Sequence, residues 1–439
     1  MPVYRESGGS TIYDVIKVQT CSGQPLEVQT VSGQVVTVTT AGTPGSDAFG
    51  RTRISQPLTL FDSSHRYQDN GLWATATGVS SDATFVAAEG LIALNVPTTS
   101  GAYVTRETTQ VFSYQPGKSL LVLNTFAMEP AKDNLRQRVG YFNAANGLYI
   151  ELEDDTLSFV ERSSVTGSAT ETKVAQANWN VDKLDGTGPS GRTLDIAKAQ
   201  ILWMDIEWLG LGTVRMGFVI DGLFVHCHSF HHANLITSTY LTTASLPLRY
   251  EIINLDTTAT ISTLKQVCST VISEGGYELR GQQRAVGTPV STPRDLAATG
   301  VLYPIVSIRL KTSPDRLDAI VIPTALSILG DGNNAFFEWR IQQNATTSGG
   351  TWTSVATESA VEYNLSGVSS SGGTTLAKGY LSSTTQSSNA LDILKEALFQ
   401  FQLRRDGLAG TPEEFTLLAQ TKTAGDDFWG AIDFEEISR

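Results

Sequence analysis

The sequence predicts an all-β chain: an N-terminal β arm, a large central β-sandwich and a second, C-terminal β-sandwich. Three observations predict it. The apolar stretches are short and alternate with polar residues, long helical periodicities are nearly absent, and Ser, Thr and Gly are abundant between the apolar runs. With 439 residues and 41% hydrophobic content, the chain is long enough for two or three domains that each bury a core.

The arm, residues 1–45, is read from an internal repeat. "VQTCSGQPLE" is followed in step by "VQTVSGQVVT" and "VTT", which aligns Val18, Val28 and Val38. Each unit is a short strand and an SGQ turn, too small to bury its own apolar face. It needs a neighbouring domain or other chains. "AGTPGSDAFG" (41–50) reads as a linker by its Gly, Pro and Ser content.

The central domain, residues 46–290, contains the runs "SLLVLNTFAM", "GLYIELEDDTLSFVERS", "ILWMDIEWLG" and "TVRMGFVIDGLFVHCHSF", bounded by Gly, Asn and Asp. "EDD" at 153–155 and "DG" at 221–222 predict hairpin turns. "DKLDGTGPSGRT" is expected to project as a polar loop.

The C-terminal domain, residues 300–439, shows the same two-residue period. Phe337, Trp339 and Ile341 alternate with Glu338, Arg340 and Gln342, and "VSIRLK" and "LFQFQLRR" repeat the pattern. "SNALDILKEA" (388–397) predicts one short helix, and "NLSGVSSSGGTTLAKG" predicts a mobile loop.

Composition narrows the function classes. No run approaches the ~20 apolar residues that span a bilayer, and "MPVYRESGGS" lacks the pattern of a secretory signal, so synthesis in a cytoplasm without membrane insertion is expected. Cys21, Cys227 and Cys268 are sparse, odd in number and far apart, which gives no disulfide framework. Triplets at Asn344 and Asn364 match glycosylation acceptors but carry no weight without secretion. A net charge of −13 argues against nucleic-acid binding, which depends on clustered Lys and Arg.

"HCHSFHH" (226–232) gathers four of the five histidines and one cysteine. On a regular strand His226 and His228 share a face and Cys227 takes the other. A zinc site would add His231 or His232 as third ligand, but no HExxH helix or paired CxxC accompanies the cluster. The favoured reading is that His226, His228, His231 and His232 hold a domain edge, which in an assembly is a subunit contact. No cofactor is expected.

Asp205 and Glu207 make the case for an enzyme. Two residues apart on a strand, they share a face about 6–7 Å apart, a separation compatible with glycosidase carboxylates, with Trp203 beside them to stack on a sugar. The opposing reading is a solvated face, with Met204, Ile206 and Trp208 turned inward. "GTGPSG" (186–191) fits GxGxxG in letters only, since no βαβ unit surrounds it and Pro189 interrupts it. "EDD" is a candidate calcium attractor for which a hairpin tip is a sufficient account. Tyr67, Trp73 and Trp179 are candidates for stacking on carbohydrate if exposed, although aromatics in sandwiches are mostly buried.

The segment "GSDAFGRTRISQPLTLFDSSHRYQDN" resembles the opening of a family of virion structural proteins from tailed phages, many of them marine or cyanobacterial. The resemblance continues through "YQPGKSLLVLNT", "NLRQRVGYFNAANGLYIE", "WNVDKLDGTGPSG", "QILWMDIEWLGLGTVRMGFVIDG", "HSFHHAN" and "VISEGGYELRG", covering roughly residues 46–281. It implies a virion component with a lectin-like (jelly-roll or concanavalin-like) sandwich. A non-enzymatic structural role, with assembly in a bacterial host, is expected. A tail fibre or baseplate-associated protein is the favoured placement, and a capsid decoration or head fibre the alternative. Expected partners are other virion proteins, sister chains (a trimer suits a fibre) and a host-surface glycan. The competing class is a polysaccharide depolymerase using Asp205 and Glu207.

Overall fold

A computed structural model of the chain describes residues 56–278, 280–384 and 402–438. The arm with Val18, Val28 and Val38, the linker at 41–50 and the helix expected over 388–397 lie outside the described residues.

The described residues form two β-sandwiches. In the first, an eight-stranded antiparallel sheet runs β14 (Leu223–Phe230), β13 (Val214–Ile220), β12 (Gln200–Ile206), β7 (Leu120–Ala127), β17 (Ser262–Ser273), β4 (Leu91–Val96), β3 (Asp82–Val86), with β1 (Leu58–Ser64) also paired to β17. Facing it is a seven-stranded sheet, β11 (Thr170–Ala175), β10 (Thr156–Ser163), β9 (Gly147–Glu153), β8 (Leu135–Phe142), β16 (Leu248–Asn254), β5 (Tyr103–Thr108), β2 (Trp73–Gly78). β6 (Phe112–Ser113) and β15 (Ser245–Leu246) pair separately at one end. Alternate residues of the two sheets meet in one core: Val122, Leu202, Met204 and Phe218 from one side, Val139, Ile150, Phe159 and Tyr250 from the other.

In the second sandwich, β29 (Asp426–Ser438) is flanked by β18 (Gln282–Gly287), β19 (Arg294–Leu296) and β21 (Ile320–Asp331). The opposing sheet runs β23 (Thr353–Ser354), β24 (Val361–Asn364), β20 (Tyr303–Leu310), β28 (Glu414–Thr421), β22 (Phe336–Ser348), β25 (Ser369–Ser382). β26 (Arg405–Asp406) and β27 (Thr411–Pro412) form a short hairpin. Phe337, Trp339 and Ile341 of β22 point into the core, as their alternation requires.

The expected hairpins form with the expected turns. β9 and β10 are joined by Asp154–Asp155, with Asp154 at φ 54°. β13 and β14 are joined by Asp221–Gly222, both at positive φ, as a two-residue hairpin turn of the primed kind demands.

Three expectations need correction. The central domain ends before residue 290, because Gln282–Gly287 pairs with β29 of the second sandwich. Most of the stretch expected as a mobile loop, from Ser369 on, belongs to the fourteen-residue strand β25, paired along β22 from Ser348↔Ser369 to Phe336↔Ser382. It lies at the edge of its sheet with most residues exposed, so water contact selects the Ser, Thr and Gly content that imitates a loop. Residues 398–401 of the run "LFQFQLRR" lie outside the described residues, and its last residue, Arg405, opens the two-residue strand β26. The loop "DKLDGTGPSGRT" folds back instead of projecting: Leu184 is fully buried, and the Asp182 carboxylate accepts the Leu184 and Ser190 N–H groups at 2.9 and 2.8 Å.

The two sandwiches touch. Val111 of the first packs with Ile320, Ile322 and Ile437 of the second. Beside this contact the buried guanidinium of Arg405 reaches Glu107 at 2.7 Å, the Thr108 carbonyl at 2.9 Å and Asp318 at 3.0 Å.

Candidate functional site

The histidine cluster is divided by a β-bulge. Opposite β14, His228 pairs with Met216 and His226 with the next residue, Gly217, so Cys227 is the extra residue. The bulge turns His228 inward with Cys227, where the ring lies 6.4 Å from that of Phe159, while His226 stays on the outer face against Trp203 at 5.8 Å. The expected shared face of His226 and His228 is therefore not formed. Burial, with the charges of His226 and His231, pushes His228 down to about 4, and burial also lowers His226. His231 is exposed and contacts Thr213 at 3.3 Å. His232 is buried, with its two ring nitrogens at Gly212 O and Glu161.

Asp205 and Glu207 are not a matched strand pair. Asp205 faces outward from β12 and is ion-paired with Arg215, its cross-strand partner. Burial raises its carboxyl, and Arg215 pulls the other way. Glu207 lies past the end of β12, exposed, in the turn that its N–H closes on Thr213 O. Trp203 is 6% exposed and covered by Phe224 and His226, which removes it as a stacking platform. Trp73 and Trp179 are likewise core residues, against Tyr250 and Phe159; of the three named loop aromatics only Tyr67 is exposed.

The structure instead gathers a polar site on the outer face of the seven-stranded sheet. Two glycines open it. Gly140 is directly opposite Tyr149 and Gly147 opposite Phe142. A Cβ on Gly140 would lie 2.6 Å from Tyr149 Cβ, and one on Gly147 2.0 Å from Phe142 Cβ, so both aromatic side chains depend on the missing side chains across from them. The Phe142 and Tyr149 rings meet at 4.4 Å, with the Arg162 guanidinium 5.7 and 5.2 Å from their centroids.

Around this aromatic pair, arginines and carboxylates alternate across strands. Arg138 on β8 meets Glu151 on β9 at 2.6 Å, Glu171 on β11 at 3.1 Å and Glu251 on β16 at 3.4 Å. Arg162 meets Glu171 at 2.6 Å, and Arg249 meets Glu107 at 2.6 Å. Burial alone raises the Glu171 carboxyl, but hydrogen bonds from Arg162 and Tyr149 and the charge of Arg138 prevail and hold it at about 2. Burial pushes the Tyr149 phenol far up.

Two adjoining hollows lie over this face. One, of about 510 Å³, is lined by Tyr103, Arg136, Arg138, Arg162, Glu171 and Glu251. The other, of about 420 Å³, shares Ala144 and Arg249 with the first and runs to Asp318 and Arg405 at the junction with the second sandwich. The sequence carries a faint signal for this groove, the alternating charges of "RQR", "ELE", "ETK" and "RYE". Which of those residues meet is fixed only by strand pairing.

No family model matches the chain, and no curated protein matches it. Solved structures similar to it include arcelin-5, a lectin-like defence protein from Phaseolus vulgaris, at 10% identity over 51% of this chain and 100% of that one, with a TM-score of 0.31. Two others come from phages. The CBM2 module of the evolved Dit of Lactobacillus casei BL23 phage J-1 is 7% identical over 52% of this chain and 100% of that one, with a TM-score of 0.32. The conserved carbohydrate esterase of Shiga toxin-encoding bacteriophage phi24B is 11% identical over 50% of this chain and 99% of that one, with a TM-score of 0.29.

Proposed function

We propose that this chain is a non-enzymatic structural component of a tailed-phage virion, a tail-fibre or baseplate-associated protein whose first sandwich meets the host surface. One observation carries the reading. Two of the segments that resemble phage virion proteins build part of the scaffold of the first sandwich: "NLRQRVGYFNAANGLYIE" makes the β8–β9 hairpin with its Gly140–Tyr149 and Gly147–Phe142 pairs, and "QILWMDIEWLGLGTVRMGFVIDG" makes β12, β13 and the following turn. Paired strands and tight turns of this kind make a rigid module, which suits a particle component. The pairing of Asp205 with Arg215 supports the non-enzymatic part of the proposal.

In this reading residues 1–45 attach the protein to other virion proteins or to sister chains, with a closed homo-oligomer, a trimer, as the assembly. Imaging antibody-labelled intact particles tests it: label on the tail supports the tail placement, label on the head moves the protein to a capsid decoration or head fibre, and unlabelled particles overturn the proposal. Deleting residues 1–45 tests attachment, and a truncated chain that still enters particles removes that role from the arm.

A further inference from the structure

We propose that the groove on the outer face of the seven-stranded sheet binds a neutral, hydroxyl-rich saccharide chain. The inference rests on the reading of the chain as a virion component that meets a host surface, and gives that surface a ligand class.

The dimensions come first. Hollows of about 510 and 420 Å³ that share Ala144 and Arg249 are each within the range of ligand clefts, and end to end they suit an extended chain better than a single ring. The lining chemistry then selects the ligand. Arg136, Arg138, Arg162 and Arg249 are interleaved with Glu107, Glu151, Glu171 and Glu251, so donors and acceptors alternate and the positive charge is offset across the face. Phosphates and polyanions gain no net field there. Adjacent sugar hydroxyls, which donate and accept together, match the edges of guanidinium–carboxylate pairs.

Two residues have capacity that the fold leaves unused. Arg136 is 3.7 Å from Glu251, beyond hydrogen-bond reach, and its buried Nε has no partner among the described residues. The side chain is 22% exposed, so its terminal N–H groups can donate to an oxygen acceptor seated in the groove. Tyr103 lines the same hollow, half-buried, with its ring laid across Gly78, where a Cβ would come within 2.4 Å of ring carbon. A ring held against the backbone in this way is a fixed surface on which the C–H face of a sugar stacks. The remaining arginines are already pinned by carboxylates, so little side-chain entropy is lost when ligand arrives.

The test is an array of neutral and acidic oligosaccharides probed with the full chain, repeated with inorganic phosphate as competitor. Saturable retention on neutral glycans that phosphate does not displace is expected, with about tenfold weaker binding for each of Arg136→Ala and Tyr103→Ala. Both variants should keep the wild-type melting temperature; Arg136→Gln and Tyr103→Leu replace either one that does not fold. Retention of no glycan, retention of acidic glycans alone, or wild-type binding by both variants overturns the proposal. A chain that enters particles yet retains no neutral glycan removes this inference and leaves the virion reading intact, and the opposite result does the reverse.

Discussion

His232 and Glu161 form an ion pair at 2.7 Å that joins the two sheets of the first sandwich at its edge, Glu161 coming from β10 and His232 from the segment after β14. The imidazole is stacked on Tyr240, with ring centroids 4.0 Å apart and planes 4° from parallel. Its other nitrogen faces the Gly212 carbonyl at 2.5 Å. Both ring nitrogens meet acceptors, so the site favours a ring that carries two protons. Burial pulls the pKa down, but Glu161 and the Gly212 carbonyl outweigh it and the net displacement is upward from 6.5.

That direction fixes a pH dependence. A raised folded-state value means that the stabilisation is complete below the unfolded-state value near 6.5 and is lost as pH climbs through the higher folded value. Glu161→Gln is expected to cost about 2 kcal/mol near a pH of about 6 and much less near about 9. Urea melts of wild type and variant at both values check it, and an equal cost at the two would show that the ring is not the titrating partner.

His65 predicts the opposite slope. It is 1% exposed, neither ring nitrogen has a hydrogen-bond partner among the described residues, and Asp69 stands 3.9 Å away. Burial, aided by the charge of Arg106, pushes it down to about 4. The unfolded chain therefore takes up a proton below about 6.5 that the folded chain refuses, and stability falls as pH drops from there toward 4. His65→Leu removes both the unpaired polar atoms and this proton, so it should raise the melting temperature near a pH of about 5 by a few degrees. A lower melting temperature at that pH would contradict the account.

The contrast between these histidines shows what a sequence can and cannot convey. The hairpin turns at Asp154–Asp155 and Asp221–Gly222 and the inward set Phe337, Trp339 and Ile341 are local patterns, and local patterns survive into the fold. The bulge at Cys227 is a single extra residue, invisible in an alternating run, yet it reverses the side to which His228 points. β25 is hidden for a different reason, because an edge strand in water keeps the composition of a loop. The groove is hidden by distance along the chain: Arg138 meets Glu251, 113 positions away, and a two-residue period shows only that each faces outward.

Arg405 is expected to couple the two sandwiches. Its side chain is 2% exposed, and its backbone N–H also reaches across, to Thr109 O at 2.9 Å. Arg405→Met leaves the buried Glu107 with Arg249 alone and removes the bond to Thr108 O, at a cost of about 3 kcal/mol. Calorimetry should show one unfolding transition for wild type and two for the variant, the first sandwich melting apart from the second. Arg405→Lys should restore only part of the coupling, since one ammonium cannot replace a fork that serves three acceptors. A single unchanged transition in Arg405→Met would move the coupling to the Val111, Ile320 and Ile322 contact.

Depolymerase activity at Asp205 and Glu207 is not expected on geometric grounds. A general acid must be free to give its proton to a leaving group, and a nucleophile or base must stand across the scissile bond from it. Asp205 is instead held by Arg215 on the neighbouring strand, and Trp203 beside it is covered by Phe224 and His226. Sugar release from host capsule is therefore expected to be negligible for wild type and for Glu207→Gln alike. The informative companion is Arg215→Ala, which strips Asp205 of its counter-charge and should lower stability modestly, by about 1 kcal/mol, because Arg215 is half exposed. Release by wild type that Glu207→Gln abolishes would reverse this argument and assign the outer face of β12 a chemical role.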